Sequence, residues 1–227
     1  MGKQKKWEKQ FEKLELLGEG GNAKVYRVKR IGTSQEYALK SLEKMSNEKQ
    51  NRFVEEIHIM SEYHSQIRGI LPVIDYSENE YWYTMPIAEP AVEYIRSHKL
   101  DIKAIIMHVL SLCDTLIALH SKGIYHRDIK PSNIYFYDGI FCLGDFGLVD
   151  FPENDHQFTR SDKGLGAIFT IAPEMKRNPR DANGQEADVF SLAKTLWMFL
   201  CDDEKGFDGV YNYADVHIGL HYIDKYR

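Results

Sequence analysis

Residues 126–133 read His-Arg-Asp-Ile-Lys-Pro-Ser-Asn, and residues 145–147 read Asp-Phe-Gly. The octet places Asp128, Lys130 and Asn133 close together. Asp145 follows Asn133 by twelve positions (145 minus 133), a spacing that one strand hairpin would fill. Alone, the triplet is explained equally well as a plain turn, because Asp and Gly are ordinary turn residues. The two motifs together indicate a site rather than a turn.

Other motifs lie on both sides of this pair in a fixed order. Residues 18–25 form a glycine-rich run, Gly-Glu-Gly-Gly-Asn-Ala-Lys-Val, and residues 37–40 read Tyr-Ala-Leu-Lys. Further on come Ala-Pro-Glu at 172–174 and Asp-Val-Phe-Ser at 188–191. In this order the motifs resemble those of a Hanks-type serine/threonine protein kinase.

The resemblance implies an α+β, bilobal protein-kinase-like fold. A small lobe would hold an antiparallel β-sheet with one main helix, and a larger lobe would be mostly helical. The chain then forms a single kinase domain over residues 1–227, with the N-lobe at about 11–85, the hinge at 86–89 and the C-lobe at 90–227.

The sequence pattern, together with the resemblance, predicts the elements in more detail. We expect strands at 14–18, 24–28, 36–42, 71–77 and 81–85, helices at 47–63, 91–97 and 103–122, and a short hairpin across Asp138 and Gly139. The apolar residues of 104–119 recur at helical spacing and are interrupted by His108, Ser111 and Asp114, which indicates a core helix rather than a membrane span.

By the resemblance, Asp128 and Lys130 are catalytic. Asp128 would accept a hydrogen bond from the substrate hydroxyl and aim that hydroxyl at the γ-phosphorus, while Lys130 would reach the transferring phosphate. A Lys two places after the Asp accompanies serine/threonine kinases in the family, so the predicted acceptor is a Ser or Thr of a protein substrate.

The predicted cofactors are ATP and Mg²⁺, with Mn²⁺ as an alternative metal. Asn133 and Asp145 are the predicted metal ligands, since Mg²⁺ prefers carboxylate and amide oxygens. Lys40 would contact the α and β phosphates and would pair with Glu56. Both Lys40 and Glu56 are also predicted to be catalytic. Glu55 is the competing carboxylate, and only one of two adjacent helical residues can face the nucleotide. The remaining predicted nucleotide-binding residues are Gly18, Glu19, Gly20, Gly21, Val25, Ala38, Met85, Ile87, Ala88 and Tyr135.

The segment from Asp145 to Glu174 resembles a kinase activation segment. Thr159 and Ser161 are its candidate phosphorylation sites, because a phosphate there could be captured by Arg127; the alternative is that both are ordinary loop hydroxyls. Four positions depart from the family pattern: Ala23, Pro86, Ala167 and Thr170.

Composition bounds the class of protein. The 227 residues are 43% hydrophobic and 28% charged, as in a soluble globular protein, and the net charge of -5 gives no reason to expect nucleic acid. Three cysteines match neither a zinc site nor a redox pair, which favours reduced thiols and a cytoplasmic location. The prediction includes neither a nucleic-acid nor a membrane partner.

Two functions compete. The first is a serine/threonine protein kinase that transfers the γ-phosphate of Mg-ATP. The alternative is a nucleotide-binding pseudokinase or scaffold with little transfer activity, which Ala23, Ala167 and the short C-terminus favour. Only 39 residues follow Asp188 (227 minus 188), fewer than the family leads one to expect. We therefore predict an incomplete C-lobe, covered by self-association or by a partner.

Overall fold

The computed structural model describes residues 6–20, 22–43, 46–147, 169–178, 182–203 and 206–207. The chain divides into two compact units. The first unit contains Met1–Ala88 together with Asp145–Gly147, and the second contains Glu89–Gly144 and Leu148–Arg227.

The first unit is built on an antiparallel sheet with strands β1 (Phe11–Glu19), β2 (Ala23–Arg30), β3 (Glu36–Leu42), β4 (Asp75–Ser77) and β5 (Trp82–Met85). The strand order in the sheet is β1-β2-β3-β5-β4. A short 3₁₀ helix, Lys6–Lys9, precedes β1. It supplies Trp7, which joins a buried cluster with Phe11, Tyr26, Val28, Leu39 and Trp82. Aromatic and branched side chains of this kind favour strands because they pack well on a pleated surface.

Helix α1 (Asn47–Tyr63) belongs to the same unit. It begins at Ser46, whose side chain accepts a hydrogen bond from the backbone N–H of Lys49 and so satisfies one of the exposed donors of the first turn. Its buried residues are Phe53, Glu56, Ile57, Ile59 and Met60. A carboxylate therefore lies on the inner, otherwise apolar face of this helix.

The second unit contains helices α2 (Ala91–Ser97) and α3 (Ile102–His120) and a three-stranded antiparallel sheet. Its strands are β6 (Glu89–Pro90), β7 (Ile134–Tyr137) and β8 (Ile140–Leu143), in the order β6-β7-β8. A 3₁₀ turn, Pro131–Asn133, leads directly into β7. Helix α4 (Pro173–Arg177) and helix α5 (Gly184–Cys201) come later in the chain.

Helix α3 has one buried face. Ile105, Val109, Leu112, Leu116 and Leu119 are all buried, as the helical spacing predicts. Among the described residues, α3 is the one helix long and apolar enough to cross a membrane by length and composition. A core helix passes the same test, so this is weak evidence for a span.

Some apolar side chains of the second unit are exposed. Ile117 of α3 and Val189 of α5 are 67% and 58% exposed. Both line a groove of about 660 Å³ between the two helices. Coverage of this unit by another copy or a partner stays a prediction.

The helices and strands are of the predicted types, but some of them begin or end at residues other than those predicted. The bounds of β3, α1 and α2 agree with the prediction. The strand predicted at 71–77 was wrong in its first half, because Pro72 has no N–H to donate and pairing starts only where the N–H of Ile74 donates to the carbonyl of Thr84 at 2.8 Å. Helix α3 starts one residue early, at a cap formed by Asp101, whose side chain accepts from the N–H of Ala104 at 2.7 Å.

Candidate active site

The first set of predicted site residues lies in the first unit, around Lys40. Lys40 is in the middle of β3, opposite Val25 of β2 and Tyr83 of β5. Its Nζ donates to Oε1 of Glu56 at 2.6 Å, and the two side chains are only 12% and 2% exposed. The structure thus pairs Lys40 with Glu56, the residue that the motif register favoured over Glu55.

Asp145 joins the same set. Its Oδ1 lies 3.1 Å from Nζ of Lys40, and 45% of its side chain is exposed. The backbone of Asp145 has a φ of 61°, a left-handed conformation that is uncommon for residues other than glycine. Phe146 is buried beside it. Strain of this kind clusters at functional sites, where the surrounding structure maintains it.

The charges of this set depend on one another. Burial by itself lowers the pKa of Lys40, but the negative charges of Asp145 and Glu56 outweigh burial and raise this pKa well above its ordinary value. Burial raises the pKa of Glu56, and the charge of Asp145 adds to that rise, while Lys40 opposes it. Lys40 is therefore a fixed cation, held between two acids.

A second set lies in the second unit and is built around Asp128. Lys130 Nζ donates to Asp128 Oδ2 at 2.6 Å, and Asn133 Nδ2 donates to the same oxygen at 3.0 Å. Asn133 Nδ2 also lies 2.8 Å from the backbone oxygen of Asp128. The three residues that the octet supplies therefore form one hydrogen-bonded group.

Helix α5 holds the backbone of this loop. Oδ2 and Oδ1 of the fully buried Asp188 accept from the N–H groups of His126 and Arg127 at 2.8 and 2.7 Å. Nε2 of His120 lies 2.9 Å from Oδ2 of Asp188. Arg127 has a φ of 60°, so its strained backbone is fixed by a buried carboxylate. The first residue of the Asp-Val-Phe-Ser motif thus supplies the carboxylate that holds this loop.

The glycine-rich turn connects β1 and β2. Gly18 and Glu19 are the last residues of β1, and the N–H of Gly20 donates to the carbonyl of Ala23 at 2.9 Å. A backbone hydrogen bond thus closes the turn. Gly21 lies outside the described residues, as do the candidate phosphorylation sites Thr159 and Ser161.

The predicted adenine-binding residues occupy strands and the segment after β5. Ala38 and Met85 are buried partners across β3 and β5, whereas Ile87, just after β5, is exposed. Tyr135 lies in β7 opposite Pro90 and Cys142. Their contact with a nucleotide, and that of Val25 and Ala88, stays a prediction.

Two buried polar contacts were missed by sequence reasoning. Tyr83 donates its hydroxyl to Glu56 Oε1 at 2.8 Å, and His120 contacts Asp188. A signal for the first was available, because Tyr83 and Met85 share a face of β5 by the two-residue period of a strand. Tyr83, which lies opposite Lys40, would then be expected near Glu56, the residue that pairs with Lys40.

Comparison with known proteins agrees with this arrangement. The family described as "Protein kinase domain" matches residues 11–214. The chain therefore belongs to the protein kinase family.

Its curated relatives are serine/threonine kinases. The chain is 30% identical over 203 residues to the DNA damage-responsive serine/threonine-protein kinase RqkA of Deinococcus radiodurans, covering 84% of this chain and 30% of that protein. It is 31% identical over 208 residues to the serine/threonine-protein kinase AtPK2/AtPK19 of Arabidopsis thaliana, covering 84% of this chain and 41% of that protein. The prediction of a Hanks-type serine/threonine kinase with an α+β kinase fold is confirmed at the level of family and fold. The chain spans less than half the length of these two relatives.

Proposed function

We propose that this chain transfers the γ-phosphate of Mg-ATP to a Ser or Thr hydroxyl of a protein substrate. The observation that carries the proposal is the Asp128 group, in which Lys130 and Asn133 both donate to one carboxylate oxygen. Two donors on one oxygen fix the plane of the carboxylate. A carboxylate held in one orientation can align a substrate hydroxyl, and orientation supplies much of the rate enhancement in phosphoryl transfer.

Asp128 then orients the hydroxyl and takes its proton late in the reaction. Lys130 is 2.6 Å from Asp128 and places a positive charge beside the reacting oxygen. Charge placed in advance stabilises a transition state without reorganisation during the step. Lys40, kept cationic by its two acids, supplies charge to the α and β phosphates.

The donor chemistry of this chain fits Mg²⁺. Asn133 makes both of its hydrogen bonds to Asp128 through Nδ2, which leaves its amide oxygen as the ligand. Asp145 offers a carboxylate that is 45% exposed. Such oxygen ligands suit Mg²⁺, and Mn²⁺ accepts the same kinds of ligand. When bound, the metal would neutralise phosphate charge.

The scaffold alternative rested in part on Ala23 and Ala167. The turn next to Ala23 closes through the backbone N–H of Gly20 and the carbonyl of Ala23, so a side chain at this position does not prevent closure. Ala167 lies outside the described residues, and it remains the argument for weak transfer.

The deciding experiment is to incubate the purified chain with Mg-ATP and a generic basic protein, followed by intact-mass and phosphopeptide analysis. Phosphate on Ser or Thr that disappears in Asp128→Asn would support the proposal and would also show whether Thr159 or Ser161 is modified. ATP binding without transfer would favour the scaffold.

We further propose a cytoplasmic location. Cys113, Cys142 and Cys201 form no disulfide, which supports a reducing compartment. A fluorescent fusion to the chain, followed in cells, would test the location.

A further inference from the structure

Tyr83 is a buried polar residue that the roles assigned so far do not use. It is directly opposite Lys40 across β3 and β5, and its side chain is 1% exposed. Its hydroxyl donates to Oε1 of Glu56 at 2.8 Å. Lys40 donates to that same oxygen at 2.6 Å. One carboxylate oxygen is therefore held from two neighbouring strands.

The two donors are not equivalent. Lys40 is shared, since its Nζ also lies 3.1 Å from Asp145 and is the group assigned to the nucleotide phosphates. In these contacts the hydroxyl of Tyr83 donates to Glu56 alone. When Lys40 shifts toward another anion, the tyrosine hydroxyl still holds Glu56 in place. A buried carboxylate left without donors is costly, so this second donor matters.

The ring of Tyr83 is itself fixed. It packs against Phe53 of α1, with ring centroids 5.6 Å apart, and Phe53 lies three residues before Glu56 on the same helix. Burial and the negative charge of Glu56 raise the pKa of Tyr83 well above its ordinary value, so the hydroxyl stays a protonated donor at neutral pH. The tyrosine thus connects α1 to β5 through both its ring and its hydroxyl.

We propose that Tyr83 is a positioning residue that orients Glu56, and through Glu56 the ammonium of Lys40, for phosphoryl transfer. The proposal rests on the kinase activity proposed above.

The test is Tyr83→Phe, which keeps the ring and removes the hydroxyl. We expect kcat/KM for ATP to fall about tenfold, the size of one hydrogen bond to a charged group, with KM for the protein substrate unchanged. The matched control is Tyr37→Phe, which removes a tyrosine hydroxyl that donates to Gln35 on the exposed part of the same sheet. The control should behave like the parent.

A second arm asks whether Tyr83 acts through Glu56. In a Glu56→Ala background the hydroxyl has lost its acceptor, so adding Tyr83→Phe should cause little further loss. A full tenfold loss in that background, or parental kcat/KM in Tyr83→Phe itself, would overturn the proposal.

A third arm does not depend on transfer. The ¹³C resonance of the Glu56 side-chain carboxyl, assigned by its loss in Glu56→Ala, should move in Tyr83→Phe and stay in place in Tyr37→Phe, both without nucleotide. If the parent transfers no phosphate, the proposed function fails while this resonance still decides the role of Tyr83. An unmoved resonance would overturn it.

Discussion

At the scale of single residues, the two lysines of the site differ in their surroundings. Lys130 contacts Asp128, whereas Lys40 lies between Glu56 and Asp145. Two neighbouring carboxylates favour the charged form of a lysine and hold its ammonium in place. This arrangement suits the role proposed for Lys40, that of a lysine that stays charged and fixed when nucleotide phosphates bind.

Asp128→Asn keeps the size of the side chain and removes its negative charge. We expect transfer to fall by about 10²- to 10⁴-fold, the usual contribution of a positioned acid or base, while Mg-ATP binding is retained. Steady-state kinetics and calorimetric titration with Mg-ATP measure the two effects separately.

The matched control is Asp138→Asn. Asp138 is exposed in the turn between β7 and β8 and has a φ of 49°, a conformation that Asn tolerates. The Asp138→Asn variant should retain parental activity. Equal transfer by Asp128→Asn and Asp138→Asn would contradict the role given to Asp128.

Much of the site could be predicted from residue type and spacing. Lys40 and the Asp128 group lie within motifs. The structure pairs Lys40 with Glu56 in the first unit and joins Asp128 to Lys130 and Asn133 in the second. The contacts of Tyr83 with Glu56 and of His120 with Asp188 join positions 27 and 68 residues apart. The strand period of β5 gives a hint of the first contact, but neither pair can be located until the strands and helices are placed.

At the scale of elements, α5 supports the loop that carries Asp128. Both oxygens of Asp188 accept from backbone N–H groups. An amide side chain would turn one acceptor into a donor and leave at least one buried N–H without its partner. We expect Asp188→Asn to lower the free energy of unfolding by about 1–3 kcal/mol, measured by urea denaturation.

Glu186→Gln provides the comparison on the same helix, because Glu186 is exposed in the first turn of α5. Its effect should be within about 0.5 kcal/mol, as for most surface changes. If both variants were equally stable, Asp188 would not be supporting the loop.

A ring cluster joins α2, α3 and the β7–β8 hairpin around His108. Its imidazole stacks on Phe141 with centroids 4.6 Å apart and meets Phe136 and Tyr94 edge-on. Burial lowers the pKa of His108 below its ordinary value of 6.5. The folded state thus binds a proton less readily here than the unfolded chain.

This sets the sign of a pH effect. The contribution of His108 to stability is present above the ordinary histidine pKa and is lost as pH falls from about 6.5 toward the lower pKa of the folded state. Urea midpoints at several pH values should show a smaller acid-induced loss in His108→Gln than in the parent. Met107→Gln, on the exposed side of α3, should keep the parental pH dependence. The same dependence of the urea midpoint on pH in His108→Gln and in the parent would contradict this prediction.

Element types were predictable because hydrophobic period and caps are local. The starts of β4 and α3 were less predictable, since the first depends on where pairing resumes after Pro72, which has no N–H, and the second on a single hydrogen bond to the Asp101 cap. The early start of β1 at Phe11 reflects packing in a cluster with the nearby Trp7 and the distant Trp82, which a strand pattern alone does not reveal.

At the scale of the whole molecule, ligand binding should raise the free energy of unfolding and the Tm. A ligand at one hundred times its Kd adds about 2.7 kcal/mol, or roughly 5–10 °C in Tm for a chain of this size. We expect Mg-ATP to raise Tm in a thermal melt and EDTA to remove most of that rise. Asp145→Asn should lose the Mg²⁺-dependent part.

Asp75→Asn serves as its control, since it removes an ion pair with Arg30 from the same unit without touching the predicted metal ligands. It should shift the baseline Tm but keep the response to Mg²⁺. The same ATP response with and without Mg²⁺ in the parent would argue against a metal at Asp145.

The first unit is not a continuous piece of chain, because Asp145–Gly147 belong to it. The Lys40–Asp145 contact joins residues 105 positions apart. During synthesis, β1 to β5 can pair as soon as Met85 leaves the ribosome, yet Lys40 must then wait until another 60 residues (145 minus 85) have emerged. The nascent first unit therefore passes through a stage with Glu56 as the acid beside Lys40, and translation itself sets the order in which the charges of the site come together.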